Sequence, residues 1–341
     1  MGHISCDIFC IVIDNLGDAG VCWRLARQLA TEHHWQVRLW IDDPSPITFL
    51  APGQDTVEIR PWEGDFTGIE PAQVVIEAFA CTLPSAYVAA MEKQQRPPVW
   101  LNLEYLTAEG WVTGCHGLPS PHPPLVKYFF FPGFVPGTGG LIRERDLAVP
   151  PALTFAAPLE ISLFCYENPQ LPGLLSAWRD GNQPVICHVC AGLPQRQVGD
   201  WLGTDFPENA TVRHGSLTLA ALPFLPQGEY DAQLARCHLN FVRGEDSFIR
   251  AQWAERPFVW QAYPQAEGAH LAKLDAFLDL YTDNAVARRF FESWNGAGVP
   301  DWSAFGAVLP ALAARAPNWA KRIAAHGDLA TNLVKFCREK L

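Results

Sequence analysis

Short, almost continuous apolar runs alternate with amphipathic stretches along most of this chain. The first run, CDIFCIVI at residues 6–13, precedes VCWRLARQLA at 21–30, in which apolar residues recur at helical spacing. A strand that is apolar at nearly every position has to be covered on both faces, as strands of a parallel sheet are. Alternation of such strands with helices predicts βαβ units and an α/β fold.

The alternation restarts near residue 158, where LEISLFCYEN (159–168) and then QPVICHVC (183–190) predict strands of a second α/β unit. The Pro/Gly-rich segments PSPHPP (119–124) and FFFPGFVPGTGG (129–140) predict loops rather than regular elements. We therefore predict two doubly wound domains facing a cleft. Ligands of such folds bind at the carboxyl ends of the strands.

Charge and composition exclude several classes of function. The net charge is −11 and no Lys/Arg-rich run offsets it, which disfavours nucleic-acid partners. The first apolar run is too short to cross a bilayer, and the N-terminal segment lacks the pattern of a secretory signal, so we expect no membrane association and a cytoplasmic location. The ten scattered cysteines are then expected to be reduced, and CHVC at 187–190 to be part of a strand rather than a zinc or redox motif.

The segment DNLGDAG at 14–20 follows the first strand, where a dinucleotide-binding turn would lie. That turn needs G-x-G-x-x-G, and only G-x-x-G is present. Asp18 inside it would face an anionic pyrophosphate, although Asp42 and Asp43 stand about 20 residues further on, where ribose-binding carboxylates occur. A dinucleotide site therefore stays open as an alternative.

The same loop suits a different task, because it presents two carboxylates, Asp14 and Asp18. Such a pair can bind a cation or accept a proton from a nucleophile. The competing structural interpretation is that Asp18 caps the following helix, with Gly17 and Gly20 as turn residues.

The segment VRGEDSFIRAQWAE at 242–255 predicts a second site, at a strand–turn–helix junction. Gly244 permits a tight turn, and a helix N-terminus offers unpaired N–H groups and partial positive charge. Arg243 adds a planar, permanently charged fork that suits a diphosphate. The alternative is that Asp246 or Ser247 merely caps the helix while Glu245 favours its positive end.

Aromatic residues are predicted near strand ends and in a loop of the same α/β unit, where such a site would lie. Strand alternation predicts that Phe164 and Tyr166 share a face near the end of their strand, and Phe224 lies in a Pro-bounded loop. They could stack on a nucleobase, or they could be core residues. Tyr263 and Gln265 precede a predicted helix carrying His270 and Lys273, whose cations could meet a sugar nucleotide or form a solvated face.

Three long segments, DIFCIVIDNLGDAGVCWRLARQLA, NFVRGEDSFIRAQWAERPFVWQAYPQ and HLAKLDAFLDLY, closely resemble the EarP family of bacterial protein-arginine rhamnosyltransferases. The resemblance extends over nearly the whole chain. It implies a GT-B fold, with one Rossmann-like domain formed by residues 1–157 plus a C-terminal helix at 325–341 and a second formed by 158–324. It also implies inverting transfer of L-rhamnose from dTDP-β-L-rhamnose to an arginine of elongation factor P, without a metal or other cofactor.

The resemblance also assigns roles to individual residues. Asp18 and Asp14 match the family's loop aspartates, one of which is the proposed general base, and Asn15 and Gly17 belong to the same loop. We favour Asp18 as the base and Asp14 as the residue that orients the arginine. The donor-side residues implied by the resemblance are Phe164, Tyr166, Phe224, Arg243, Asp246 and Tyr263, and we add Ser247 and Gln265 from the same segments. Glu245 is counted with Asp18 and Asp14 among the catalytic candidates, and it is expected to bond the ribose or to orient Arg243.

The chain departs from the family pattern at two places, with Leu16 in place of a usual Tyr and AER at 254–256 in place of Ala-Gly. Neither change removes a charged or nucleotide-contacting group. Three alternatives stay open: a GT-B transferase with another nucleotide sugar or acceptor, a non-catalytic nucleotide-sugar-binding protein, and a dehydrogenase.

Overall fold

The structure is a computed structural model of the 341-residue chain, and it describes residues 3–14, 16–53, 56–64, 66–152, 154, 158–265 and 268–341. Contacts divide the chain into two units. Unit 1 comprises Met1–Leu147 and Arg322–Leu341, and unit 2 comprises Ala148–Lys321. Each unit has its own mainly parallel sheet, so the predicted α/β class is confirmed.

Unit 1 contains a seven-stranded sheet in the order β3-β2-β1-β4-β5-β7-β6, in which only the β6–β7 pair is antiparallel. Its strands are β1 (Ser5–Cys10), β2 (Gln36–Ile41), β3 (Glu58–Pro61), β4 (Val74–Ala78), β5 (Val99–Leu103), β6 (Pro119–His122) and β7 (Leu125–Phe130). Its helices are α1 (Leu16–His33), α2 (Ser45–Leu50), α3 (Ser85–Glu92), α4 (Val112–Cys115) and α12 (Leu329–Arg338).

The predicted loop FFFPGFVPGTGG begins inside β7, which ends at Phe130, so its first two residues are strand. The prediction that PSPHPP forms only a loop is wrong, because Pro119–His122 forms β6. The strand pairs with β7 alone and lies at the edge of the sheet. An edge strand tolerates proline, since one of its sides needs no backbone donor.

A buried ionic network anchors β1 at the centre of this sheet. The Asp7 carboxylate is fully buried and accepts hydrogen bonds from Nε and Nη2 of Arg38, both at 2.6 Å. It also accepts from Trp40 Nε1 at 3.0 Å, from the Ala72 backbone N–H at 3.1 Å and from the Tyr87 hydroxyl. A buried charge is tolerated when it is paired and hydrogen-bonded in this way. The network therefore fixes β1, whose carboxyl end leads into the acidic loop.

Helix α12 joins unit 1 although it is distant in sequence. Asp328 caps it by accepting from the Thr331 backbone N–H at 2.9 Å. The same Asp328 oxygen accepts from Gln28 Nε2 on α1 at 3.1 Å, and Leu141 forms a parallel β-bridge to Asp328. The buried face of the helix includes Leu333 and Cys337, so α12 is part of this unit's core.

Unit 2 contains a six-stranded sheet in the order β10-β11-β9-β8-β12-β13, antiparallel only between β10 and β11. Its strands are β8 (Leu159–Leu163), β9 (Val185–Val189), β10 (Thr211–His214), β11 (Leu217–Ala221), β12 (Leu239–Arg243) and β13 (Phe258–Gln261). Its helices are α5 (Leu171–Asp180), α6 (Leu193–Leu202), α7 (Gln227–Arg236), α8 (Asp246–Trp253), α9 (Ala269–Tyr281), α10 (Ala285–Trp294) and α11 (Trp302–Ala324), whose last turn falls in unit 1.

Two contacts fix α8 behind β12. Arg250 on α8 is buried and forms a two-point ion pair with Asp231 on α7, at 3.0 Å and 2.8 Å. Phe248 stacks on Trp260 of β13, with ring centroids 4.0 Å apart. The N-terminus of α8 is thereby held at the carboxyl end of β12. Within the described part of the chain, no helix combines the length and apolar character needed to span a membrane.

Candidate active site

In unit 2, the guanidinium of Arg243 lies against two aromatic rings. Its central carbon is 4.3 Å from the ring centroid of Phe164 and 4.3 Å from that of Tyr166. Arg243 is the last residue of β12, and both aromatic residues directly follow β8, the neighbouring strand. The expectation that the two aromatics lie on a strand is wrong, because β8 ends at Leu163. They converge on the arginine from an irregular segment, and these cation–π contacts hold the guanidinium at the carboxyl edge of the sheet.

The turn after Arg243 is built as the sequence predicts. Gly244 has a φ of 59°, which favours glycine, and its N–H donates to the Gln261 carbonyl at 3.2 Å. Ser247 is buried, and its hydroxyl accepts from the Arg243 N–H at 3.0 Å and donates to the Arg243 carbonyl. Ser247 thus closes the turn through backbone bonds.

The N-terminus of α8 lies directly beyond this turn. Glu245 is its N-cap residue, and the described residues provide no side-chain capping hydrogen bond there, so the alternative in which Asp246 or Ser247 serves as the cap is not found. Asp246 is the first helical residue, and one of its carboxylate oxygens accepts from Gln227 Nε2 at 3.4 Å. A helix N-terminus beside a guanidinium is suited to an anion.

More aromatic residues surround this group. Tyr230 of α7 packs edge-on against Phe164, with ring centroids 5.7 Å apart, and Tyr263 packs edge-on against Tyr166, with ring centroids 5.4 Å apart. Tyr263 is 43% exposed, so it offers ring surface to a ligand. Phe224 is half-buried in the segment between β11 and α7.

Gln265 is exposed, and its backbone N–H donates to Nδ1 of His270 at 3.2 Å. Lys273 is half-buried on α9. The structure therefore brings together Phe164, Tyr166, Arg243 and Tyr263, while Gln265 lies on the loop that follows Tyr263.

Two glutamines that the sequence analysis missed hold the aromatic segment in place. Gln261 is 6% exposed, and its Oε1 accepts from the Tyr166 N–H at 2.9 Å. Gln197 Nε2 donates to the Tyr166 carbonyl at 3.1 Å, and Gln197 Oε1 accepts from the Asn168 N–H at 2.8 Å. The only local signal was a polar residue at the end of the apolar run PFVWQ.

In unit 1, the acidic loop joins β1 to α1. Asp18 is the third residue of α1 and only 2% exposed. Its Oδ2 accepts from the backbone N–H groups of Ile13 at 2.9 Å and Asp14 at 2.8 Å. The carboxylate therefore ties the loop to the helix from within its first turn.

Burial raises the pKa of Asp18 above its ordinary value, and the nearby Asp42 carboxylate raises that pKa further. The two backbone bonds and a hydrogen bond from the Tyr105 side chain act in the opposite direction. Tyr105, which the sequence analysis also missed, follows β5 and stacks on Phe79, with ring centroids 4.4 Å apart. A carboxylate with a raised proton affinity is a better base once it is ionised.

Asp14 lies beside Asp18 and is half-buried. Its carbonyl accepts from the Gly17 N–H at 2.6 Å. A Cβ atom on Gly17 would lie 2.6 Å from Oδ2 of Asp14, so any larger residue would require that carboxylate to move. Asn15, the other predicted loop residue, lies outside the described residues.

The remaining candidates from the sequence have local structural roles. Asp42 accepts from the Val12 N–H at 2.9 Å, and Asp43 accepts from the Ser45 N–H at 2.9 Å, so both shape turns. Cys187 and Cys190 are buried free thiols, at the centre and just beyond the end of β9. Burial raises the pKa of Cys190 to about 12.

Sequence and structure comparisons relate this chain to known proteins. A family model described as "Elongation-Factor P (EF-P) rhamnosyltransferase EarP" matches residues 6–156 and 150–338. A protein-arginine rhamnosyltransferase of Pseudomonas aeruginosa is 45% identical, with 97% of this chain and 98% of its own covered. A protein of the same name from Shewanella oneidensis is 37% identical, with 98% and 97% covered.

Solved structures point the same way. One described as "Structural basis for EarP-mediated arginine glycosylation of translation elongation factor EF-P" has a TM-score of 0.69 and 34% identity, covering 99% of this chain and 100% of its own. The calicheamicin glycosyltransferase CalG4 has a TM-score of 0.53 at 12% identity, covering 99% of each chain, and shares the fold alone. Because the family model covers nearly the whole chain and relatives named for this activity are up to 45% identical over almost their full length, the chain belongs to the EarP family of protein-arginine rhamnosyltransferases.

Proposed function

We propose that this enzyme transfers L-rhamnose from dTDP-β-L-rhamnose to an arginine side chain of elongation factor P, with inversion at the anomeric carbon. The observation that carries the proposal is the position of Arg243, whose guanidinium lies against the rings of Phe164 and Tyr166 beside the N-terminus of α8. The choice of acceptor is supported by the matching family of elongation factor P rhamnosyltransferases and by the related EarP, which glycosylates an arginine of elongation factor P.

In this proposal the donor binds in unit 2. Arg243 and the first N–H groups of α8 hold the diphosphate and stabilise the negative charge that grows on it as the sugar departs. The exposed ring of Tyr263, with Phe224, offers surface for the thymine base. Glu245, at the N-cap of α8, bonds the ribose or orients Arg243.

The acceptor arginine is assigned to the acidic loop of unit 1. A guanidinium is a poor nucleophile, because it is protonated and its lone pairs are delocalised. Asp14 orients it by fork-type hydrogen bonds, and Asp18, whose pKa is raised by burial, accepts the proton. As the bond from the arginine nitrogen to the anomeric carbon forms, the bond from that carbon to the diphosphate oxygen breaks and dTDP leaves.

Two further features agree with this assignment. Ile13 is 64% exposed beside the loop, an apolar surface that suits contact with a protein acceptor rather than a small molecule.

Arg243 and the helix N-terminus supply the charge that stabilises the leaving group, so the proposed transfer gives no role to a metal ion. A translation factor as acceptor places the reaction in the cytoplasm.

Intact-mass analysis of elongation factor P tests the proposal directly. Incubation with the enzyme and dTDP-β-L-rhamnose is expected to add one deoxyhexose. The configuration at the anomeric carbon of the modified arginine, determined by NMR, tests for inversion. Asp18→Asn is expected to abolish the addition while leaving dTDP affinity unchanged, because Arg243 and the rest of the proposed donor site lie in unit 2.

The alternative functions predict other outcomes. Addition of a different sugar, or greater thermal stabilisation by another nucleotide sugar, would favour a different donor. Binding of dTDP-β-L-rhamnose without any transfer to elongation factor P would favour a non-catalytic binding protein. Turnover at the wild-type rate in Asp18→Asn would remove this aspartate from the role of base.

A further inference from the structure

Three side chains of different metal-binding chemistry meet in unit 2, apart from the residues assigned to the donor. Glu160, His188 and Cys237 each bring one ligand atom to a point where all three atoms lie within 4.8 Å of one another. Nε2 of His188 and Oε2 of Glu160 are 2.9 Å apart. Nothing in the proposed transfer uses these residues.

The fold holds the three groups on separate segments. Glu160 is the second residue of β8, and His188 is the fourth residue of β9. Glu160 pairs with Ile186 in the parallel register, so Glu160 and His188 point to the same face of the sheet. Cys237 is the C-cap residue of α7 and precedes β12. The cluster therefore joins three elements whose backbones are fixed by the sheet and by α7.

The donor set is one that zinc prefers. A thiolate sulfur, an imidazole nitrogen and a carboxylate oxygen are the common protein ligands of Zn²⁺, and three of them leave a fourth position for water. The Glu160 side chain is 36% exposed, so water can reach that position. The amide of Gln233 donates to Sγ of Cys237 at 3.2 Å, the kind of outer contact that stabilises a coordinating thiolate.

His238, which follows Cys237, has both ring nitrogens in hydrogen bonds to the backbone and is not part of the cluster. Nδ1 of His238 accepts from the Glu160 backbone N–H at 3.0 Å, which leaves Nε2 protonated and donating to the Thr154 carbonyl at 3.1 Å. Burial and the nearby Glu160 raise the pKa of the Cys237 thiol to about 12. A bound cation would reverse that effect by binding the thiolate and releasing its proton.

We propose that Glu160, His188 and Cys237 form a zinc-binding site that stabilises unit 2 by cross-linking β8, β9 and the segment that leads into β12. This site shares no residue with the rhamnosyl transfer proposed above. Removal of the metal is therefore expected to leave the donor-binding residues in place.

Calorimetric titration of the full-length protein with Zn²⁺ alone, after treatment with a chelator, tests this site. One ion per chain is expected, together with a rise in Tm. Cys237→Ser and His188→Gln each remove a proposed zinc ligand. Loss of only a hydrogen-bond partner of a ligand weakens metal binding roughly 10- to 100-fold, so each variant is expected to weaken Zn²⁺ binding by more than that. Co²⁺ is expected to give a thiolate charge-transfer band in the wild type and none in Cys237→Ser.

Cys190→Ser is the matched control, because it removes a buried cysteine two residues from His188 but no member of the cluster. It is expected to bind Zn²⁺ like the wild type. Retained affinity for dTDP in Cys237→Ser shows that unit 2 is folded. The proposal is overturned if the wild type binds no Zn²⁺, if both ligand variants bind Zn²⁺ as tightly as the wild type, or if only Cys190→Ser loses Zn²⁺ binding.

Discussion

Ser247 holds Arg243 through both polar atoms of that residue's backbone, accepting from its N–H at 3.0 Å and donating to its carbonyl. Ser247→Ala removes both bonds, which position the Arg243 backbone at the proposed donor site. We expect dTDP to bind more weakly by about 1–2 kcal/mol, or roughly 5- to 30-fold in Kd, measured by calorimetry.

The conservative variant Ser247→Thr keeps the hydroxyl and is expected to retain most of this affinity. If Ser247→Ala and the wild type share one Kd, the turn does not depend on this hydroxyl for its position.

Tyr105 modulates the proposed base. Its hydrogen bond lowers the pKa of Asp18, which burial has raised, so Tyr105→Phe is expected to raise that pKa further. A general base works only when deprotonated, and the acid limb of the profile of kcat/KM against pH should therefore move to higher pH. Phenylalanine preserves the stacking on Phe79, and dTDP affinity serves as the control. An unshifted acid limb would contradict the role of Tyr105.

Asp18 also makes stability depend on pH. Because its pKa is raised in the folded chain, folding favours the protonated form, and this contribution is present at low pH and lost as the pH rises through the folded pKa. Asp18→Asn stays neutral throughout. We expect its Tm to exceed that of the wild type by a margin that grows upward from about pH 4 and then levels off. A margin independent of pH would be incompatible with a raised pKa.

Gly17 gives a steric test of the acidic loop. Ala at this position would place a Cβ 2.6 Å from Oδ2 of Asp14 and displace that carboxylate. We expect Gly17→Ala to lower the rate of rhamnosyl transfer at least tenfold, in line with the roughly 10²-fold cost of a misplaced reacting group. Gly114→Ala is the control, since its Cβ would meet nothing within 4 Å. Equal transfer rates in the two variants would argue against a role for Asp14.

The sequence predicts a feature well when its signal is local. The strand–turn–helix at 239–253 and the acidic loop after β1 could both be predicted. In each, an apolar run, a turn glycine and the start of a helix follow one another directly in the sequence. The assignment of Phe164 and Tyr166 to a strand failed because the apolar run continues past Leu163, the last residue of β8.

Other features depend on pairings between distant parts of the chain. Tyr166 and Gln261 are 95 residues apart, and only the adjacency of β8, β12 and β13 brings them together. Tyr105 reaches Asp18 for the same reason, because β5 and β1 end at one edge of the unit 1 sheet. Strand β6 was missed because proline content signals a loop, whereas its edge position removes the usual penalty.

Helix α12 sets the order in which the protein can be completed during translation. The ribosome finishes most of unit 1 early, yet α12 emerges only after all of Ala148–Lys321 has been made. At roughly 5–20 residues per second, that delay is on the order of 10–30 s. During this interval the surface of α1 that α12 covers, together with Gln28, faces the solvent or a chaperone. The nascent chain is therefore expected to complete unit 2, although it begins later, before it completes unit 1.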